Sequence, residues 1–387
     1  MENMDFLKID TLLTEEENLI KASTEKFCNS KTFSGIEKHF EESTFPKDLP
    51  KLLGQNGYLG SFIPESFGGA GLSYTAYGII CEQLEKIDSG VRSFCSVQSS
   101  LVMFPIFKFG SEEQKLKWLP LLANGEAVGC FGLTEPDHGS NPSGMLTTAK
   151  KDGDSYLLNG TKRWITNGNI ADVCIIWAKD ENKKIAGFLV EKDTPGLEQK
   201  TMHHKMSLRA SETGELIFDN CRIPASNKLP NADGLKSPLL CLDSARFGII
   251  WGVLGAATSC YECALDYAKN RSQFSKPIAS HQLVQSKLVD MLTEITKGKL
   301  LALQIARLRD SGKGHFSHVS MGKMNNVRIA LNIARTARDI LGANGISTEY
   351  PVIRHMLNLE SVVTYEGTED IHRLIIGKEI TGISAIE

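Results

Sequence analysis

The sequence predicts a multi-domain α+β fold: an N-terminal α-helical domain (residues 1–128), a middle antiparallel β domain (129–238) and a C-terminal helical bundle domain (239–387). Three observations predict it. Helical periodicity with capping signals fills the first third. From about Gly129, short β-type runs take over, broken by the turn pairs Asp152-Gly153 and Asn159-Gly160. Long apolar or amphipathic helical stretches then occupy the final third. No long helix alternates with the strands, which argues against a βαβ sheet and for a small barrel or sandwich between two helical regions.

Each element has its own signal. Thr14 and Glu17 form a capping box, with Leu19, Ile20 and Phe27 as the apolar stripe behind it. A second helix is expected from about Lys47 to Gln55. Phe67-Gly68-Gly69-Ala70-Gly71 lacks the ending of a phosphate loop and the spacing of a dinucleotide fingerprint, so it reads as a structural hinge. Helical spacing recurs from Ser73 to Asp88 and from Ser93 to Phe109, the latter small, apolar and internal. Arg92 and Ser96 stand one turn apart where that stretch begins, either at the surface or as an anion clamp. Ser111 and Gln114 cap a helix through Leu122. Strands are expected at Met145 to Lys150, Ser155 to Leu158, Asp172 to Ala178, Ile185 to Glu191 and Glu215 to Phe218. The last third holds a Gly- and Ala-rich helix from Arg246 to Asn270. A second, Gln282 to Asp310, has Leu283, Leu288, Met291, Leu292 and Ile295 on its apolar side. A third, Val319 to Leu341, is closed by Gly342.

Composition narrows the function. With 387 residues, 41% hydrophobic and 23% charged, the chain has the balance of a globular protein of two or three domains. A net charge of -3 and a pI near 6.3 offer no electrostatic footprint for nucleic acid. No run of about 18 apolar residues is apparent, so no membrane span is expected. Nine scattered cysteines fit a reducing compartment rather than a disulfide framework. Met1 to Glu17 is acidic and lacks arginine, unlike a secretory signal or presequence. A cytoplasmic location is expected, or the mitochondrial matrix if a presequence has been removed.

Several stretches are rich enough in chemistry to form a site. Phe131 to Ser140 packs glycines, hydroxyls and a proline into one loop able to present backbone N–H groups to an anionic or heteroaromatic ligand. Trp164 and Thr166, two apart on a strand, share a face where a flat cofactor could lie, or form ordinary core. Arg271 to Phe274 ends a helix and Gln282 starts the next, as helix dipoles alone would favour. Leu341-Gly342-Ala343-Asn344-Gly345 is a helix stop or a phosphate-approach loop. Cys260 and Cys263 lack the further ligands of a zinc site, and the histidine pairs His203/His204 and His315/His318 lack a third, so no metal is expected. Glu366, between Tyr365 and Gly367, follows an apolar helical stretch. It is either a helix-end glutamate facing water or a partly desolvated general base.

Taken together, the chain resembles the acyl-CoA dehydrogenase family, and within it the glutaryl-CoA dehydrogenases. The resemblance runs nearly end to end. It is densest at residues 88–103, 131–140, 159–167, 244–256, 337–347 and 350–368. It implies a C-terminal four-helix bundle, a homotetramer, and FAD at a subunit interface. By the family's pattern Phe131, Gly132, Leu133, Thr134, Gly139, Ser140, Trp164, Ile165 and Thr166 hold the flavin from the same subunit. Arg271, Phe274, Gln282, Asp339, Ile340, Leu341, Gly342 and Ala343 would contact the flavin of a neighbouring subunit. Thr368 and Asp370 would lie near it too. The acyl-CoA is expected along Arg92, Ser93, Ser140, Leu239, Leu240, Cys241, Leu242, Asp243, Ser244, Ala245, Arg246 and Gly367.

Glu366 matches the family's catalytic base, which takes a thioester α-proton while a hydride leaves the β-carbon for the flavin. Arg92, with Ser96 and Glu85, matches the pattern that holds a distal carboxylate, and Tyr365 matches the decarboxylating members. The implied products are crotonyl-CoA and CO2, with electrons passing to electron-transferring flavoprotein. Asn141, where many relatives have Asp, and Ser275, where glycine is usual, depart from the pattern. The alternatives are a non-decarboxylating or other short-chain dehydrogenase, an oxidase passing electrons to oxygen, and a flavin-free acyl-CoA binding or scaffold protein.

Overall fold

The computed structural model describes residues 5–30 and 33–385; the first four residues of the acidic N-terminal stretch lie outside them. The N-terminal domain comprises α1 (Glu15–Cys28), α2 (Ile36–Glu42), α3 (Leu49–Gln55), α4 (Tyr74–Ile87), α5 (Ser89–Ser96), α6 (Phe104–Phe109) and α7 (Glu112–Ala123). Both expected capping boxes are present, Thr14 with Glu17 and Ser111 with Gln114. Leu19 is exposed, against expectation, because α1 packs through the face of Glu17, Ile20, Thr24 and Phe27. A π-helical stretch, Val97–Met103, joins α5 to α6 in one continuous buried rod. Gln98 on that rod donates to Leu122 O (3.1 Å) and Ala127 O (2.7 Å) and accepts from Gly129 N (3.0 Å), so it fastens the rod to the next domain.

The middle domain is a seven-stranded sheet of β1 (Gly129–Gly132), β2 (Thr148–Asp152), β3 (Ser155–Thr166), β4 (Val173–Lys179), β5 (Ile185–Glu191), β6 (Leu197–Thr201) and β7 (Thr213–Pro224). The order is β1-β4-β2-β3-β7-β6, with β5 also on β4. Most pairs are antiparallel as expected; β1 and β2 run parallel to β4. β4 is buried on both faces. Val173, Ile175 and Trp177 face the N-terminal helices, and Cys174, Ile176 and Ala178 face the sheet's own core. That explains a continuous apolar run with no alternation. β1 and β6 were not among the expected strands; β1 runs into the start of the Phe131 to Ser140 loop.

The C-terminal domain is built on α8 (Lys236–Asn270), α9 (Gln282–Asp310), α10 (Phe316–Ile340), α11 (Pro351–Val362) and α12 (Glu369–Thr381). A short hairpin of β8 (Ser272–Gln273) and β9 (Lys276–Pro277) links α8 to α9. α8 begins at Lys236 rather than Arg246, since Pro238 in the first turn forfeits no intrahelical hydrogen bond. By length and composition alone it could cross a membrane, but 78% of its most apolar window is buried inside the protein, as in a core helix. On α9, Leu288, Met291 and Ile295 are buried as expected, but Leu283 in the first turn is exposed, beyond the packed stripe.

Candidate active site

A cleft of about 1570 Å³ opens where the three domains meet. One wall is the link between α11 and α12. It carries Glu366 at φ 53° and Gly367 at φ 95°, two consecutive left-handed residues that turn the chain sharply. Thr368 then caps α12, its hydroxyl accepting from Ile371 N. A Cβ at Gly367 would lie 3.1 Å from both Arg246 Nη2 and His372 Nε2, so the turn is packed tightly from behind. Three consecutive carbonyls of the link are held by cations. Lys323 Nζ donates to Tyr365 O (2.9 Å) and Gly367 O (2.7 Å), and Arg246 Nε donates to Glu366 O (2.7 Å).

Glu366 faces the cleft, and its Oε2 is closed off from solvent without a hydrogen-bond partner. Burial raises its pKa above the ordinary 4.5, against the pull of Arg92, Lys323 and Arg246. A carboxylate so placed is more basic than one in water, which a general base requires.

Beneath the link lies Arg92, on α5 and fully buried. Its Nε donates to Glu85 Oε2 at 2.5 Å and its Nη2 to Tyr365 Oη at 2.7 Å. Its remaining nitrogen, Nη1, has no hydrogen-bond partner among the described residues. Burial and the neighbouring Glu85 carboxylate push the Tyr365 hydroxyl up; Arg92 opposes them. Ser96, one turn along α5, is buried with its hydroxyl unpartnered. The pair tolerates no crowding: a Cβ at Gly252 on α8 would sit 2.1 Å from Glu85 Oε2.

The opposite wall is the Phe131 to Ser140 loop and the end of β3. Its rigidity has a source the sequence reading did not identify. Glu135 pairs with the buried Lys162 at 2.8 Å and accepts from Leu146 N (2.6 Å) and Thr147 N (2.9 Å). Burial opposes ionisation, but Lys162 and these donors outweigh it and hold Glu135 down at about 2. Trp164 sits at a β-bulge with φ 61°, 59% exposed. Trp164 and Thr166 share the cleft as expected, and Ile165 between them, which strand alternation would turn away, lines it too. An indole, two hydroxyls (Thr134, Thr166) and the apolar Phe131 and Leu133 fit a flat heterocyclic cofactor with a polar rim.

Most other predicted residues gather here too. Ser93, Gly139, Ser140, Leu239, Leu240, Leu242, Asp243, Arg246, Tyr365, Gly367 and Thr368 line the cleft. Cys241, Ser244 and Ala245 are buried on α8 behind it. Gly132 lies in β1, and Asp370 is exposed on the first turn of α12. Arg271, Phe274, Gln282 and residues 339–343 do not line this cleft. They gather at one end of the bundle, where α8 ends, α9 starts and α10 ends. There Phe274 is 88% exposed, and Ser275, standing in place of glycine, takes φ 63°. Lys323 was missed. The signal was present: it falls on the buried face of α10 that also carries Val319, Asn326, Val327 and Ala330.

Three family models cover the chain in order. They are the N-terminal, middle and C-terminal domains of acyl-CoA dehydrogenase, matching residues 14–126, 130–221 and 232–381. The chain belongs to the acyl-CoA dehydrogenase family, whose members are flavoprotein oxidoreductases. It is 37% identical over 369 residues to the short-chain specific acyl-CoA dehydrogenase of Homo sapiens mitochondria, covering 94% of this chain and 90% of that one. Its fold is similar to a glutaryl-CoA dehydrogenase from Mycobacterium smegmatis in complex with FADH2, with TM-score 0.97 and 49% identity over 99% of each chain. It is also similar to a glutaryl-coenzyme A dehydrogenase in complex with glutaryl-CoA, with TM-score 0.91 and 32% identity over 96% of each chain.

Proposed function

We propose that the chain is an FAD-dependent glutaryl-CoA dehydrogenase that also decarboxylates its product to crotonyl-CoA and CO2. The observation that carries this reading is Arg92, fully buried behind the cleft wall and bonded to Tyr365, the cleft-lining tyrosine that precedes the base. A distal carboxylate placed there without a partner would cost several kcal/mol. Arg92 and the Ser96 hydroxyl, which has no hydrogen-bond partner, would be the donors to meet it.

In this reading Glu366 takes the α-proton, aided by its desolvated, raised basicity. FAD, when bound, accepts the hydride from the β-carbon; Phe131, Leu133, Thr134, Trp164 and Thr166 would hold its ring. By the family's pattern, the backbone N–H of Glu366 would donate to the thioester oxygen. One such donor to a developing oxyanion is worth about 3 kcal/mol of barrier. When CO2 then leaves, its bonding electrons delocalise toward the thioester, and protonated Glu366 is the acid at hand to return a proton. Electron-transferring flavoprotein as acceptor, a homotetramer with the 271–282 and 339–343 segments reaching a neighbour's flavin, and a cytoplasmic location complete the proposal.

A second reading, a dehydrogenase of uncarboxylated short acyl-CoAs, is favoured by one feature: Glu85 already neutralises Arg92. Reduction of the bound flavin by a panel of acyl-CoAs, with CO2 measured, decides between them. Fast bleaching by glutaryl-CoA with stoichiometric CO2 supports the first. Bleaching by butyryl-CoA alone supports the second.

A further inference from the structure

We propose that Lys323 is a positioning residue for Glu366: with Arg246 it grips three consecutive carbonyls and so fixes the left-handed turn that aims the carboxylate. The inference rests on Glu366 being the base. Lys323 reaches in from α10, 1% exposed, and no carboxylate lies within ion-pair distance of its ammonium among the described residues. Its two hydrogen bonds go to the carbonyls on either side of Glu366, at 2.9 and 2.7 Å. A buried ammonium bonded only to neutral carbonyls is a poor way to stabilise a helix bundle. It suits a different need. A non-glycine residue at φ 53° persists only where its surroundings over-determine it. Without the lysine, two carbonyls flanking the base lose their donor and the turn is free to relax.

The charge acts as well as the grip. Arg92 from α5, Arg246 from α8 and Lys323 from α10 face Glu366, while Tyr365, Glu369 and His372 complete the titratable surroundings of link and α12. Burial lowers Lys323 to about 7, Glu366 draws it up, and Arg246 and Arg92 push it down. Reciprocally, Lys323 favours ionised Glu366.

The test compares Lys323→Met, which removes grip and charge, with Lys323→Gln, which keeps two N–H donors without charge. In the flavin-loaded enzyme, Lys323→Met should lower kcat about 100-fold and leave KM within about twofold. Lys323→Gln should recover part of kcat. In both, the acidic limb of the pH profile should move up by about one unit. An infrared titration of the Glu366 carboxyl, assigned by its absence in Glu366→Gln, should show the same shift without turnover. An unmoved carboxyl titration in a folded variant overturns the inference, whatever the activity. If Lys323→Met does not fold, the titration of Lys323→Gln decides. Substantial turnover by Glu366→Gln would instead reject the base itself, a separate failure.

Discussion

Replacing Arg92 by methionine separates the two substrate readings, and the structure sets the size of the effect. The guanidinium is fully buried and tied to Glu85 at 2.5 Å. Its loss leaves that carboxylate without a partner, which destabilises the fold by about 3–5 kcal/mol unless Glu85 takes up a proton. The informative comparison is therefore Arg92→Met against Arg92→Met combined with Glu85→Gln, which restores neutrality. Toward substrate, Arg92 offers Nη1 and a share of Nη2. One charge-assisted hydrogen bond to a distal carboxylate contributes about 1.5–3 kcal/mol. At about 1.4 kcal/mol per tenfold, kcat/KM for glutaryl-CoA should fall at least about tenfold, and more than about 100-fold if both nitrogens engage. Butyryl-CoA presents a methyl there and should lose less than about threefold, since methionine offers it apolar contact. The assay is kcat/KM for both thioesters with a dye acceptor, beside a thermal melt of each variant. Equal losses on the two substrates would refute the clamp. So would a double variant that regains stability and glutaryl-CoA turnover together.

Three further outcomes are expected. Glu366→Gln should retain flavin and thioester binding but lose at least about 100-fold in turnover; in the parent enzyme, activity should fall with acid at a pH above the ordinary 4.5, as the base protonates. Arg271→Ala should lower flavin retention after gel filtration, and unchanged flavin content would place that arginine elsewhere. The third concerns acid stability. Burial, with Lys323 and Arg246 nearby, depresses His372 from 6.5 to about 3. Between those values only the unfolded chain binds the proton, so this contribution is intact above pH 6.5 and lost as pH falls toward 3. The slope is at most about 1.4 kcal/mol per pH unit; His372→Gln should flatten it in denaturant melts, and an unchanged slope would reject the assignment.

The fold was legible where the signal was local. Caps, turn pairs and helical period located the N-terminal helices and the change to strands, because each depends on neighbours within one turn. What failed were inferences about sides. Leu19 and Leu283 have helical spacing yet face outward, since which face is buried depends on what packs there. Ile165 joins Trp164 and Thr166 on the cleft side because a bulge shifts the register between Lys162 and Ile165. The site was legible as a set of motifs but not as a constellation. Glu366 alone left a water-facing carboxylate as open as a base. Its raised basicity comes from burial among elements distant in sequence, and the cations that temper it, Arg92, Arg246 and Lys323, are equally distant. Nothing local to the pentapeptide reports that.

The same charges bear on substrate choice. Around the link, three buried cations (Arg92, Arg246, Lys323) face the carboxylates Glu85 and Glu366, while Asp243 and Glu369 nearby are held by cations of their own, Arg309 and Arg328. With all five ionised the pocket carries one excess positive charge. An uncarboxylated acyl group leaves that excess in place, and Lys323, lowered to about 7, is the cation that can relieve it by losing its proton. A dicarboxylic acyl group cancels the excess and keeps Lys323 charged. When Glu366 accepts the α-proton, its own negative charge passes to the thioester enolate, so the balance is kept through the step. Buried charge is tolerated only when compensated. This charge balance supports the proposed reading of an anionic acyl chain, even though Arg92 taken alone is already paired.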